Sequence, residues 1–447
     1  MSRNCIGLTG VAFPFVLLCV STEAAAMAAP QQRPFKLEHL SSDDVLAIAS
    51  HLVDAGRYDE AQVLLDRLSK DGAGGAERDF LDGMIALARK DYGRAEGLFR
   101  KMLDRVPSLL RVRLELARTL FFAKKDEQAD YQFGLAIAEH PPAAVRANIA
   151  RFRESIRARR AWRFNVRVGI APDSNINSAT SKDTIDLYGL PFDLDDSAKA
   201  RSGIGMMAGG DASVRLWRSG KVPVYVAAYG QWNRYKDHDF DDIFVGGEAG
   251  PEFHLGEGRL RTTATAYRRW YGGQKLVTEL GGKLNYEKVI GGKWAIEGSL
   301  GLRHDEYAGR NDTDAWNIDA FAGANRALSP STIGFAYASV RRSLASDPAF
   351  SHWGARIGVG ALKEVGWGLR PQITVEAGRQ VNDAQFGVFG QTRRDWSVQA
   401  IASIYKRDWN IAGLAPSLKF SYLRNYSTIA LYDQKRTRTE ISLTKAF

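Results

Sequence analysis

The residues with the plainest chemical potential cluster in "RVGIAPDSNINSAT", positions 167 to 180, where Asp173, Asn175 and Asn177 stand at alternate places. That spacing opens a calcium-binding EF-hand loop. A complete loop needs Gly at its sixth position and a bidentate Glu at its twelfth; Ser178 and Thr184 stand there instead. The stretch therefore reads as a turn in which Asp and Asn side chains fold back onto nearby backbone. Two acidic clusters, "HDE" (His304 to Glu306) and "KDHDFDD" (Lys236 to Asp242), could serve metal or acid–base chemistry. Both fall at expected strand ends or loops, where solvated charge is the ordinary occupant. No G-x-S-x-G, H-E-x-x-H or P-loop pattern is present. Cys5 and Cys19 are the two cysteines, and both precede the expected cleavage point, so the mature chain is expected to lack disulfide and thiolate chemistry. The expectation is a protein without catalytic residues, metal or cofactor.

The elements that position these residues begin with an export signal. Residues 1–29 carry Arg3, an apolar run from Cys5 to Val20, and small residues at Ala24 to Ala26 and near Ala29, which together read as a cleavable signal peptide. The formal charge of +10 is unchanged by its removal, since it contributes one Arg and one Glu. An exported basic protein points to anionic lipid or an acidic client and away from nucleic acid.

From Ser42 to about Pro142 the chain repeats every 34 residues: Ala61, Ala95 and Ala129 are in register, with Ala49, Gly83 and Ala117 twelve places upstream and Leu65, Phe99 and Phe133 downstream. That is the tetratricopeptide period, one helix pair per unit, in which small residues sit where helices cross and large ones fill the space between units. Residues 30–145 are thus expected to form an α-solenoid of about three repeats. Its concave groove is expected to present Glu77, Phe80, Met84, Arg111, Leu114, Arg118 and Phe121. Residues 146–161 read as an Arg-rich helical linker whose Arg151, Arg153, Arg157, Arg159 and Arg160 could form a basic collar against headgroups or a client.

Beyond Trp162 the period becomes two. Val224, Val226, Ala228 and Trp232 oppose Tyr225, Tyr229 and Gln231. Leu280 and Leu284 oppose Glu279, Lys283 and Glu287. Leu300 and Leu302 oppose Glu297 and Arg303. Tight turn signals at 218–221, 256–259, 290–293, 328–331, 366–369 and 407–410 alternate with looser polar stretches at 171–200, 235–240, 271–275, 305–313, 344–351, 381–392 and 425–435. These connections imply about fourteen strands over 162–447, with an apolar outer face and a polar lumen bearing Glu279, Lys283, Glu287, Glu297, Arg303 and Glu376. The fold expected is multidomain α + β, a helical solenoid followed by a transmembrane antiparallel β-barrel. The last strand ends on Phe447, a signal suited to the barrel-assembly machinery.

A signal peptide, tetratricopeptide repeats and "GIAPDSNINSA" opening such a barrel resemble the surface lipoprotein assembly modulator (Slam) family. The resemblance covers nearly the whole mature chain. Its most specific residues are Asp173, Ser174, Asn175 and Asn177 after the first strand. It implies an outer-membrane protein of Gram-negative bacteria that delivers lipoproteins, or in some relatives soluble haem-binding proteins, to the cell surface. The repeats would then lie in the periplasm and engage the client or its periplasmic chaperone, and the barrel would be the route across the lipid. A polysaccharide exporter with repeats and a barrel is the competing reading; the few lumen-facing aromatics, such as Tyr225 and Tyr229, form no long series of sugar-binding rungs.

Overall fold

The computed structural model describes residues 41–70, 75–159, 162–187, 190–216, 222–290, 294–409 and 414–445. The expected signal peptide, Arg160 and Phe447 lie outside these residues, as do the tight turn at 218–221 and most of that at 290–293.

Among the described residues seven helices come first: α1 (Ser42–Asp54), α2 (Tyr58–Lys70), α3 (Gly75–Ala88), α4 (Tyr92–Arg105), α5 (Leu110–Phe122), α6 (Asp126–Ala138) and α7 (Ala143–Arg159). They pack in consecutive antiparallel pairs, and the 34-residue register explains how. Ala49, Ala61, Ala95, Ala117 and Ala129 are all fully buried at helix crossings, and Leu65, Phe99 and Phe133 fill the layers between them. The turn inside each unit repeats too: Gly56, Lys90 and Lys124 occupy the left-handed region at φ 75, 63 and 59, the conformation that ends a helix sharply. The start of α1 is fixed by a capping box, in which Ser41 Oγ accepts from the Asp44 N–H and the Asp44 carboxylate accepts from the Ser41 N–H, each at 3.2 Å.

The Arg-rich segment differs from its expected role as a linker. It is part of α7, which starts at Ala143 and continues the stack. Ile149 and Ile156 are buried in the same core as Phe133, and Phe152 stacks on Phe133 at 5.3 Å. Apolar residues recurring every three or four places on one side of an otherwise basic helix give it this packing face.

The barrel strands are β1 (Trp162–Asp173), β4 (Gly203–Leu216), β5 (Val224–Arg234), β6 (Asp242–Leu255), β7 (Gly258–Tyr271), β8 (Gln274–Ile290), β9 (Trp294–Tyr307), β10 (Ala315–Ser329), β11 (Thr332–Ala345), β12 (His352–Lys363), β13 (Leu369–Phe386), β14 (Gln391–Lys406), β15 (Leu414–Ser427) and β16 (Gln434–Lys445). They form one closed antiparallel sheet of sequential neighbours, completed by pairing β1 with β16. A small hairpin, β2 (Thr184–Leu187) with β3 (Leu190–Asp193), sits in the loop between β1 and β4.

The described strand ends that flank the six expected tight connections lie at one end of the barrel, and those that flank the seven expected loops lie at the other. Two of the seven are much shorter than expected: strand takes up most of 381–392 and leaves only 387–390 between β13 and β14, and β7 and β8 are joined by Gly272 and Gly273 alone, both at positive φ (54 and 77), the backbone that a two-residue hairpin demands. Outward positions carry exposed apolar side chains, among them Val168, Ile170, Leu280, Leu300, Ile357, Val375 and Ile441. Exposed aromatics ring both ends, with Trp316, Trp353, Trp396 and Tyr426 toward the loops and Trp162, Trp294, Trp367 and Trp409 toward the turns. Apolar residues bare all round a closed sheet, bounded by aromatic girdles, require hydrocarbon outside.

Gly83 tests the helical register. A Cβ there would lie 2.6 Å from the Phe99 ring. Gly83→Val should destabilise the helices by about 1–3 kcal/mol. Circular dichroism at 222 nm in detergent should show an earlier helical transition, while the barrel keeps its heat-modifiable gel migration.

Candidate functional site

Three regions could act on a passing molecule: the lumen, the turn-side mouth of the barrel, and the end of β1 where the "DSNIN" motif lies.

The motif is a latch between the two chain ends of the barrel. Asp173 is the last residue of β1 and its carboxylate is fully buried. It accepts from Arg436 at 2.5 Å and Arg438 at 3.3 Å, both on β16. Its Oδ1 also accepts from the Asn175 N–H at 3.0 Å. Ser174 bonds twice to Thr437, its N–H donating to the carbonyl at 2.9 Å and its Oγ accepting from the N–H at 2.8 Å. The Asn175 amide closes a local turn with Ala179, accepting from its N–H and donating to its carbonyl. Asn177 ties the far side of the loop by donating to the Lys199 carbonyl and accepting from the Arg201 N–H. Thr180 donates to the carbonyl of Asp433 at 3.0 Å. The polar side chains that mimic a calcium loop are thus spent on backbone and on two arginines.

Among the described residues, no group of three His, Cys, Asp or Glu side chains is placed to hold a metal ion. In the two acidic clusters, His304 packs edge-on against Trp316, Asp305 pairs with Arg303 at 3.1 Å and Asp242 with Arg269 at 2.8 Å.

The lumen holds the inward residues read from the alternation. Glu279, Lys283, Glu297 and Arg303 border one central cavity of about 840 Å³. Glu287 is held by Arg259 at 2.9 Å and also by Arg261. Glu376 accepts from the Tyr337 hydroxyl. The alternation missed their partners: Asp319 joins Arg303 and Arg341, and Arg393 pairs with Asp395 at 2.6 Å. Asp319 and Arg341 stand at inward places beside the outward apolar residues Ile318 and Val340, so extending the same count would have found them, whereas Arg393 lies between Thr392 and Arg394 and gives no such signal. Most of these charges are paired around the wall, so the interior is polar and of mixed sign.

The helical domain sits over the turn-side mouth. Gln132 of α6 donates to Glu364 at 3.2 Å, the Arg370 guanidinium lies over the Tyr131 ring at 4.5 Å, and the Asp104 carboxylate of α4 accepts from the Trp367 backbone. Arg407 pairs with Glu364 at 3.4 Å. Burial is large enough here to push the Tyr131 phenol up to about 12 and to raise the Asp104 carboxyl. It would raise Glu96 as well, but Arg100 and Lys125 hold that carboxyl below its ordinary value.

The groove residues use other helices. Glu77, Phe80 and Met84 lie on α3; Arg111, Leu114, Arg118 and Phe121 lie on α5. Arg111 stands 5.5 Å over the Phe80 ring, and Arg118 pairs with Glu115 at 2.7 Å. Phe121 is taken up by α7, against Phe152 at 5.0 Å and under Arg159 at 3.9 Å. The collar is likewise partly consumed. Arg153 pairs with Asp130 at 2.6 Å and Arg159 with Asp126, both on α6, and Arg151 bonds to Asn148 one turn back. No side-chain placement is described for Arg157.

A closed fourteen-strand barrel with an apolar belt, a charged lumen and a helical repeat domain at one mouth defines an outer-membrane protein. Residues 162–447 match the family model of the surface lipoprotein assembly modifier, and the chain belongs to that family. It is 22% identical over 370 residues to the surface lipoprotein assembly modifier of Moraxella catarrhalis, covering 80% of this chain and 70% of that one. It is also 22% identical over 385 residues to surface lipoprotein assembly modifier 1 of Neisseria meningitidis serogroup B, covering 82% and 75%. Over 373 residues it is 22% identical to the hemophilin secretion modulator of Acinetobacter baumannii, covering 78% and 75%. Among solved structures it resembles the outer membrane channel DcaP of A. baumannii (TM-score 0.38, 10% identity, 63% of this chain and 96% of that one). It also resembles OmpT of Vibrio cholerae (TM-score 0.36, 9% identity, 64% and 99%).

Asp173→Ala leaves Arg436 and Arg438 half-paired at the barrel closure. Breaking such a buried pair costs on the order of 3 kcal/mol. The heat-modifiable transition of the barrel should move to lower temperature, with the helical signal at 222 nm unchanged; an unmoved transition would mean that the latch does not hold the barrel closed.

Proposed function

We propose that this protein is a translocon that carries lipoproteins, or a soluble exported protein, from the periplasm to the cell surface. The helical domain lies on the periplasmic side, where it holds the client or a client–chaperone complex and offers it to the barrel. Outer-membrane lipid surrounds the barrel, and the barrel-assembly machinery inserts it. The observation that carries the reading is the docking of α4 and α6 on the turn-side mouth through Asp104, Tyr131 and Gln132. A passive pore gains nothing from a repeat domain fixed across its entrance. The groove of Glu77, Phe80, Met84, Arg111, Leu114 and Arg118, without Phe121, which α7 covers, is on the first helices of the repeats, so a client binds beside the mouth and not inside it. A collar role for α7 rests on Arg151, Arg157 and Arg160, because Arg153 and Arg159 anchor the helix to α6. No nucleotide is required: folding of the client outside prevents its return.

Surface proteolysis followed by proteomics, in cells with and without the gene, tests this reading. One or a few lipoproteins or secreted proteins should lose surface exposure and remain in the periplasm. An unchanged surface proteome would contradict it. Arg407→Glu places like charge against Glu364 at the docking contact and should reduce delivery of the same proteins while the barrel stays inserted.

A further inference from the structure

The alternation that turns Glu279 and Arg303 into the lumen also turns a group of cations outward. At the loop end of β13 to β16, Arg379, Arg394 and Lys435 stand on the lipid-facing side of the wall, and all three are exposed. Arg379 is opposite the exposed Trp396, and its guanidinium lies 4.4 Å over that ring. Arg394 is two places from Trp396 and therefore on the same face. Lys435 shares its face with the exposed Ile441 further along β16. It is opposite Arg424 of β15, whose guanidinium lies 4.2 Å over the exposed Tyr426 ring.

The charge on this strip is unbalanced. The acids near it are held by other arginines: Asp383 by Arg342 at 2.8 Å, Asp433 by Arg424 at 2.5 Å, and Asp395, on the lumen side, by Arg393 at 2.6 Å. Among the described residues, Arg379, Arg394 and Lys435 form no ion pair with a carboxylate. Lumen arginines differ, as Arg303 does with its three carboxylates. Toward the middle of the wall the same face becomes apolar, with Val375, Val398 and Phe420 exposed. The strip thus carries three cations and two aromatic rings above an apolar surface. Cations beside an aromatic girdle call for an anion from the headgroup layer. Arg grips phosphate oxygens in pairs through its planar fork, and Lys meets them as a point charge.

We propose that the outer face of β13 to β16 at the loop end docks a glycolipid that carries two phosphates on its sugar head. The inference rests on the orientation used above, with the helical domain in the periplasm and the loop end in the outer leaflet, and not on transport. Three strand spacings separate β13 from β16, about 14 Å. A phospholipid head brings one phosphate and does not meet cations spread over that width. A disaccharide head with a phosphate at each end does. Arg379 and Arg394, on neighbouring strands, take one phosphate and Lys435 takes the other. Trp396 and Tyr426 lie on the strands between them, against the sugar rings, and the acyl chains run down over Val375, Val398 and Phe420.

The full chain, purified in dodecyl maltoside, is titrated with bisphosphorylated lipid A and, separately, with phosphatidylglycerol, and bound lipid is counted by native mass spectrometry. The variants are Arg394→Gln alone and Arg379→Gln with Arg394→Gln and Lys435→Gln. The control is Arg326→Gln, whose guanidinium lies 5.2 Å over Trp294 at the turn end. One lipid A should bind in preference to phosphatidylglycerol. Each lost cation should weaken it about fivefold, so the triple variant binds about a hundredfold less, while Arg326→Gln binds as the unmodified chain does. Heat-modifiable gel migration identifies the closed barrels, and Arg394→Gln, one exposed side chain, carries the test if the triple variant fails to insert. Unchanged binding by closed Arg394→Gln barrels, an equal loss in Arg326→Gln, or equal retention of phosphatidylglycerol and lipid A would overturn the proposal. The readout involves no delivery. Preferential lipid A binding beside an unchanged surface proteome would reject the translocon reading alone, and a changed surface proteome without that binding would reject this proposal alone.

Discussion

A β-barrel in hydrocarbon must satisfy every backbone polar group within its own wall, and here the closure joins strands at opposite ends of the barrel sequence. Asp173 on β1 and Arg438 on β16 are opposite each other in register. Their ion pair, with Arg436 beside it, is a buried charge cluster that spans the closure. The motif that follows Asp173 serves that contact. Ser174 pairs with Thr437, Asn175 folds the chain into its turn, and Asn177 and Thr180 bind the loop down on both sides. Without it the first and last strands would lose the charge pairing that joins them at the loop end.

The same constraint shapes the rest of the molecule. A wall of alternating residues puts charge inside, and the lumen answers by pairing charges of opposite sign, as Arg303 does with Glu279, Asp305 and Asp319. The helical domain then covers the mouth with α4 and α6, leaving α3 and α5 for a ligand. In the translocon proposed above, binding and passage fall to different helix faces, linked at the mouth by Tyr131, Gln132 and Asp104.

Much of this was legible in the sequence because two periods carry it. The 34-residue repeat located residues such as Ala61, Phe99 and Ala117 in the core, since small and large residues must alternate where helices cross. The two-residue alternation located the lumen side of Glu279, Lys283 and Arg303, because a strand has only two faces. What stayed hidden depended on contacts between distant segments. The alternation could not tell that Arg153 and Arg159 would be spent on Asp130 and Asp126, since basic residues on a helix look alike until a neighbouring helix is placed. The motif at Asp173 was read as a turn, which it is, but its partners lie some 260 residues away at Arg436 to Arg438. The two-residue turn at Gly272 and Gly273 was masked by polar neighbours that resembled a longer loop.

Amide hydrogen exchange on the full chain in lipid nanodiscs tests most directly whether the Asp173 latch holds the barrel closed. The account predicts that Asp173→Ala speeds exchange in segment 434–438 of β16 while strand interiors elsewhere in the barrel keep their rates. Unchanged exchange in segment 434–438 would contradict it.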